Sequence, residues 1–314
     1  MKLARPNVFH PRIVLAGCPQ LVDGDGDDAG LIPALRRRGL HARWLSWDDP
    51  DTLRADVVIL RAAWDYSERL DEFLAWTRAV PHLLNAPEAV AWNADKRYLL
   101  DLERRGVPIV ATAVFGPSEQ VRLPEAAEIV VKPATGVGSV DAQRFTDSTA
   151  AKSHAESMQG QGRSVVVQPY DDRVEHAGET ALVFLGGQSS HAFTKAAMLP
   201  PQGRRVELDP TGTYALETLA LAEPDFEIWD VGFAALDAAA DHLQVTARDF
   251  LYARVDVIGG IDDPRLLELE LIEPSLGWMQ LDERTRDLQQ REFARRLSSA
   301  LERLGLGPLS HRRP

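Results

Sequence analysis

The chain has 314 residues, 45% of them apolar and 26% charged, with a formal net charge of -12 at pH 7. A surface this acidic repels phosphate backbones and anionic lipid, which excludes nucleic acid and membranes as expected partners. Cys18 is the single cysteine, so no intrachain disulfide can form and a reduced, cytoplasmic setting is expected. The segment 1–12 lacks the apolar core of a signal peptide, and no run approaches the roughly 18 apolar residues of a membrane span.

The first 90 residues alternate between strand and helix patterns. RIVLAGC (12–18) reads as a buried strand, and a helix is expected from Ala29 to Arg38, closed by Gly39. HARWLSW (41–47) and ADVVILRAAW (55–64) read as strands, LDEFLAWTRAV (70–80) as a helix and HLLNAP (82–87) as a short strand and turn. This order predicts a parallel α/β sheet. Ligands gather at the C-terminal ends of such strands, which makes Arg61, Trp64 and Asp65 site candidates.

A helix is expected over NADKRYLLDLERRG (93–106). EIVVKPATGVGSVDAQRF (128–145) reads as strand, glycine loop and strand, followed by a helix near 148–159 and the strand SVVVQPY (164–170). Beyond Gly178 come the strands ETALVFLGG and QSSHAFTKAAM, an irregular loop (199–214) and a helix over 233–244. YARVDVIGG and RLLELELIEP then form a strand pair joined by a turn. The tail, Glu283 to Leu304, is one amphipathic helix that either packs on the core or makes a homodimer contact, with the core preferred.

Three stretches carry chemistry. DGDGDD (23–28) has the look of a calcium loop, but Asp28 stands where glycine is needed and Ala34 where glutamate is needed, so it reads as a polar loop before a helix. In VVKPATGVGS, Lys132 emerges from an apolar strand; an anion is its natural partner. Gly136 and Gly138 let backbone N–H groups approach that anion, and Ser139 adds a hydroxyl. The lysine precedes the glycines, so this is no Walker loop. In RVD, Arg254 and Asp256 lie two apart on one strand face, as do Glu268 and Glu270 in LELE. If these strands pair, three carboxylates converge beside one guanidinium. Such a group raises its own pKa values unless a cation compensates, and the oxygen donors suit Mg²⁺. Taken by itself, the same alternation also describes the solvent-facing half of a strand.

The ordered set Lys96, Lys132 with its loop, Gln168-Pro-Tyr, Glu179, RVD and E-x-E resembles the ATP-grasp superfamily over about residues 90 to 280. LRAAWDY (60–66), WNADKRYLLDLERRGVP (92–108), QPYDD, GETALVFLGGQSSHAFTK (178–195) and LELELIEPSL are most similar to its cycloserine-forming O-ureido-serine cyclo-ligases. The resemblance implies an α/β fold with an N-terminal α/β domain (1–90), a central lid-like ATP-grasp subdomain (91–167) and a C-terminal mixed subdomain (168–314). It implies ATP and Mg²⁺ as cofactors, with Lys96 and Lys132 on the phosphates and the Gly136–Gly138–Ser139 loop closing over them. Gln168 and Tyr170 would border adenine, Glu179 would take the ribose, and Asp256, Glu268 and Glu270 would bind the metal. Arg254 would steady the transferring phosphoryl group, with Lys195 reaching towards it. Many superfamily members carry E-x-N where this chain has E-x-E, so Glu270 would add a negative ligand to the metal.

The implied reaction is ADP-forming carboxylate–amine ligation through an acyl phosphate, on a small amino-acid-like substrate, with ring closure within one molecule, as in antibiotic biosynthesis, among its forms. A peptide or protein-tail ligase and a non-catalytic ATP-binding protein are the alternatives. Arg61 and Ser275 are the substrate-binding candidates, and the loop 199–214, with Arg204 and Arg205, is expected to shape the substrate pocket.

Overall fold

The structure, a computed structural model, describes residues 9–201, 206–208, 210 and 215–307. Arg204, Arg205 and most of the loop expected to shape the substrate pocket lie outside the described residues.

The first layer is built from β1 (Ile13–Gly17), α1 (Leu31–Arg37), β2 (Ala42–Ser46), β3 (Val57–Ala62), α2 (Leu70–Ala79) and β4 (Leu83–Leu84). The strands form a parallel sheet in the order β2-β1-β3-β4. β1 and β3 are buried along their whole length, as the inner strands of a covered parallel sheet must be, and this is why β1 reads as an apolar run and β3 as one interrupted only by Arg61.

The chain continues through α3 (Pro87–Asn93) and α4 (Tyr98–Arg104). The single helix expected over 93–106 is therefore broken. The Asn93 amide acts as a substitute strand partner, donating to the Leu269 carbonyl and accepting from the Leu271 N–H, both at 2.8 Å. The backbone turns there, and Lys96 N–H leaves the helical ladder to donate to the Ala134 carbonyl.

The central layer holds β5 (Ala113–Phe115), β6 (Ile129–Pro133), β7 (Gln143–Phe145), α5 (Ser148–Gly160) and β8 (Val165–Pro169), an antiparallel sheet ordered β5-β8-β6-β7. Asp147 caps α5 by accepting from Thr149 N–H. The last layer follows α6 (Val174–Ala177) and contains β9 (Glu179–Leu185), β10 (Gln188–Lys195), β11 (Leu219–Ala222), α7 (Phe226–Leu243), β12 (Tyr252–Ile258), β13 (Arg265–Glu270) and α8 (Glu283–Arg303). Its antiparallel sheet runs β11-β10-β9-β12-β13. α6 and β11 had no clear sequence signal, and α7 starts seven residues before the expected 233 because Ile228 and Val231 already belong to its buried stripe.

Side chains of β9 alternate between two cores. Ala181, Val183 and Leu185 pack with the first layer and α8, while Leu182 and Phe184 pack against α7 and α4. α8 is capped by Asp282 and buries Phe293, Leu297 and Leu301 in the first of these cores, so its apolar stripe serves packing within the chain. Each such side chain contributes about 1.5–3 kcal/mol by leaving water. Among the described residues no helix is long and apolar enough to cross a membrane.

Candidate active site

A cavity of about 620 Å³ opens where the three sheets meet. β12 and β13 form its floor. Arg254 pairs directly with Glu270 and Asp256 with Glu268 across this antiparallel ladder, so the four charged side chains share one face. The alternation of LELE thus turns its charges inward, to a polar cavity.

The floor is an ion-pair network. Arg254 Nε and Nη2 reach Asp256 at 2.9 and 3.0 Å, and Nη2 also meets Glu270 at 2.5 Å. Lys195, set opposite Glu179 in the β10/β9 register, lies 2.7 Å from Asp256 and 2.9 Å from Glu179. Lys96 comes from the turn between α3 and α4 and meets Glu268 at 2.8 Å and the Gly136 carbonyl at 3.0 Å. Burial disfavours ionised Glu268, but Lys96 and Lys132 overcome it and hold this carboxyl at about 2. Burial pushes Glu270 up to about 7; Arg254 opposes this, but Asp256 and Glu268 reinforce it.

Lys132 differs from its neighbours. It lines the cavity from β6, yet no hydrogen bond or ion pair engages its ammonium group among the described residues. Burial makes it less basic, with Lys96 and Lys195 nearby acting in the same direction against the pull of Glu268. Beyond it, Gly138 and Ser139 have φ of 57° and 58° at the crest of the loop. Ser139 pays the left-handed cost that Gly138 escapes. The Gly138 carbonyl accepts from Ala215 N–H, so this loop is tied to the chain at the residue that follows the 199–214 segment.

At the other end of the cavity, Gln168 is held by a 2.8 Å bond to Thr112 Oγ1. Tyr170 donates to Glu175 at 2.7 Å, and the Arg144 guanidinium covers its ring at 3.7 Å. Gly136, Gly138, Ser139, Glu179, Lys195 and Ser275 also line the space.

Two expectations change. Arg61 does not line the cavity. It is 2% exposed and bonds Asp28 at 2.8 and 3.2 Å and the Pro274 carbonyl at 2.9 Å, so it holds the first layer to the third and is not open to substrate. Asp256 is 1% exposed, and both its oxygens are taken by Arg254 and Lys195, so it stands behind the cavity wall. Among the described residues no three acidic or histidine side chains close on one point as a preformed metal cage would. Of the strand-end candidates, Trp64 lines the cavity, whereas Asp65 accepts from Trp47 Nε1 and faces Arg69.

Sequence reasoning missed the acidic loop and Glu273. Asp25 and Asp27 line the cavity. Asp27 accepts from Met279 N–H at 2.9 Å and Leu276 N–H at 3.2 Å. Burial together with Asp28 and Asp27 raises Asp25 to about 7. The rule applied to the end of β3 applies equally to the end of β1, and would have found this loop. Glu273 is 7% exposed, lines the cavity and has its carboxyl pushed well above the usual range by burial and by Glu270.

A family profile described as the N-terminal domain of D-cycloserine synthetase DcsG matches residues 13–85. Cycloserine biosynthesis protein DcsG of Streptomyces lavendulae is 38% identical over 269 residues, covering 80% of this chain and 88% of that protein. The crystal structure of D-cycloserine synthetase DcsG superposes with a TM-score of 0.80 at 34% identity, covering 92% of this chain and 99% of that one. At the level of fold alone, D-alanine–D-alanine ligase from Bacillus anthracis complexed with ATP gives 0.65 at 15% identity, over 94% and 98% of the two chains. ATP-grasp ligase PsnB, complexed with a precursor variant, Mg and ADP, gives 0.58 at 15% identity, over 92% and 99%.

Proposed function

The chain belongs to the DcsG family of ATP-grasp ligases, and we propose from this premise that it closes an amino-acid-derived substrate onto itself, as in cycloserine formation. ATP activates a carboxylate as an acyl phosphate, a nitrogen of the same molecule attacks it, and ADP and phosphate leave. The observation that carries this reading is Lys132: a buried-facing lysine with no anion of its own, beside a glycine loop and facing a floor of paired charges.

The roles follow from position. Lys132 and Lys96 take the phosphates, and Lys96 exchanges the Gly136 carbonyl for a phosphate oxygen as it does so. The loop through Gly136, Gly138 and Ser139 closes over them and excludes water, which would hydrolyse the acyl phosphate. Gln168 and Tyr170 border the adenine, with Tyr170 fixed by Arg144, and Glu179, a lining residue of the same cavity, takes the ribose.

Glu268 and Glu270 suit Mg²⁺ because they are hard oxygen donors, with side chains 24% and 26% open to the cavity. Bound there, Mg²⁺ would neutralise phosphate charge. Asp256 then serves from behind, fixing Arg254 and Lys195. Arg254, held by Asp256 and by the Ser275 carbonyl at 3.1 Å, is preorganised to face charge on the transferring phosphoryl group. Ser275 borders the substrate end, its hydroxyl 3.3 Å from Asp27.

The test is trapping. With ATP, Mg²⁺ and hydroxylamine, the enzyme should convert a substrate carboxylate to a hydroxamate with release of ADP. Release of AMP and pyrophosphate would rule out acyl-phosphate chemistry.

A further inference from the structure

Strands β9, β12 and β13 and the segment after β13 carry five carboxylates at the cavity wall or just behind it. Four have cations: Glu179 has Lys195, Asp256 has Lys195 and Arg254, Glu268 has Lys96, and Glu270 has Arg254. The fifth, Glu273, has none. Its carboxylate makes no hydrogen bond or ion pair among the described residues, although the residue is 7% exposed and lines the cavity. A buried carboxyl without a partner is costly and calls for an explanation.

Glu273 is not loosely placed. Trp64 Nε1 donates to its carbonyl at 3.0 Å, Arg61 to the Pro274 carbonyl at 2.9 Å and Arg254 to the Ser275 carbonyl at 3.1 Å. Three donors from two layers therefore fix the backbone that carries it. Tyr66, 5% exposed, lines the same cavity, and its hydroxyl also lacks a hydrogen-bond partner among the described residues. Arg254, which grips the Ser275 carbonyl two residues on, ties this segment to the charged floor, and Glu270, Lys96, Glu268 and Arg254 are the charges that act on Glu273.

We propose that Glu273 recognises the ammonium group of an amino-acid substrate, with the Tyr66 hydroxyl as an additional acceptor beside it. The unpaired charges are complementary: Lys132 lacks an anion and Glu273 lacks a cation. One phosphate-bearing ligand satisfies the first, and an ammonium next to the activated carboxylate satisfies the second. An ammonium offers three donors, which suits a carboxylate and a phenol oxygen converging from two layers. Binding of that cation also offsets the burial and like-charge repulsion that disfavour the ionised Glu273 carboxylate. This rests on the amino-acid ligase reading above and extends it by assigning the residue that selects for the amine.

The test compares ADP release with O-ureido-serine and with its des-amino counterpart, 3-(ureidooxy)propanoate, in the full-length enzyme with ATP and Mg²⁺. Wild type should lose at least about tenfold in kcat/KM when the amine is absent, the scale of one charge-assisted hydrogen bond. Glu273→Gln, which copies a neutral carboxyl in shape, should raise KM for O-ureido-serine by at least about tenfold, with a smaller change in kcat, and reduce discrimination to below about threefold. Glu273→Asp should recover part of it. Equal use of both compounds by wild type overturns the proposal without any variant, and so does undiminished discrimination in a Glu273→Gln enzyme that still binds ATP. Turnover of neither compound by wild type overturns the amino-acid cyclisation reading and this inference together, an outcome distinct from turnover without discrimination.

Discussion

Replacing Lys132 by methionine should separate stability from nucleotide binding. The side chain faces the cavity with no hydrogen bond or ion pair among the described residues, so the ligand-free fold loses only its longer-range attraction to Glu268, set against the relief of a buried charge. Its folded pKa is depressed by burial, so the buried charge weighs against the ligand-free fold wherever it is protonated. Lys132→Met should therefore change the ligand-free stability by between zero and about +1 kcal/mol. The same substitution at Lys96 breaks a pair with Glu268 and should cost about 1–3 kcal/mol, less than a fully enclosed pair because the Glu268 side chain is 24% open.

Nucleotide reverses the order of interest. At a ligand concentration of a hundred Kd, wild type gains about 2.7 kcal/mol. Loss of one charge-assisted contact worth about 1.5–3 kcal/mol weakens binding by roughly ten- to hundredfold. At the upper end of that range Lys132→Met retains only about 0.4 kcal/mol of the gain. With about 2–4 °C per kcal/mol, a shift of roughly 5–10 °C falls to about 1 °C. Thermal unfolding with and without ATP and Mg²⁺ reads both quantities. A Lys132→Met protein that is several degrees less stable without ligand, or that keeps the wild-type ATP shift, refutes the assignment of an unpaired phosphate-binding lysine.

The pH dependence gives two further checks. Burial and like charges hold Glu270 near 7, so the stability it supports is whole below its ordinary 4.5 and is lost as pH rises through about 7. Glu270→Gln should flatten the metal-free unfolding temperature between pH 5 and 8, and an unchanged slope would contradict the assignment. Glu268 is held at about 2, so its contribution is present above 4.5 and lost as pH falls towards about 2. Glu268→Gln should remove that acid limb, as read by denaturant unfolding at low pH. Arg61→Met leaves Asp28 uncompensated in the interior and should cost about 3–5 kcal/mol in urea unfolding. The surviving folded fraction should keep its KM, whereas a raised KM with intact stability would restore Arg61 to the substrate site.

Much of the fold was legible because its strands carry plain signals. The apolar runs of β1 and of β3 up to Leu60 announced a covered parallel sheet, and the two-residue spacing in RVD and LELE announced one charged face; the register later set Arg254 against Glu270 and Asp256 against Glu268. Local pattern could not reveal that Asn93 would turn the chain by mimicking a strand edge, since its partners, Leu269 and Leu271, lie far along the sequence. Arg61 shows the same limit. A strand-end arginine looks like a ligand-binding group until Asp28, from a loop dismissed as merely polar, occupies it. Glu273 sits in the same stretch as Glu268 and Glu270, but nothing in its spacing distinguishes a paired carboxylate from an unpaired one. That difference exists only once Lys96, Lys195 and Arg254 have been placed.

The most direct measurement is product stoichiometry with O-ureido-serine, ATP and Mg²⁺. If the chain is an intramolecular acyl-phosphate ligase, ADP, phosphate and cycloserine appear one for one, with the carbamoyl group hydrolysed away as carbon dioxide and ammonia, and Arg254→Ala abolishes their formation while the protein still binds ATP. ATP binding without ADP or cycloserine, or ADP formed equally well by Arg254→Ala, contradicts the account.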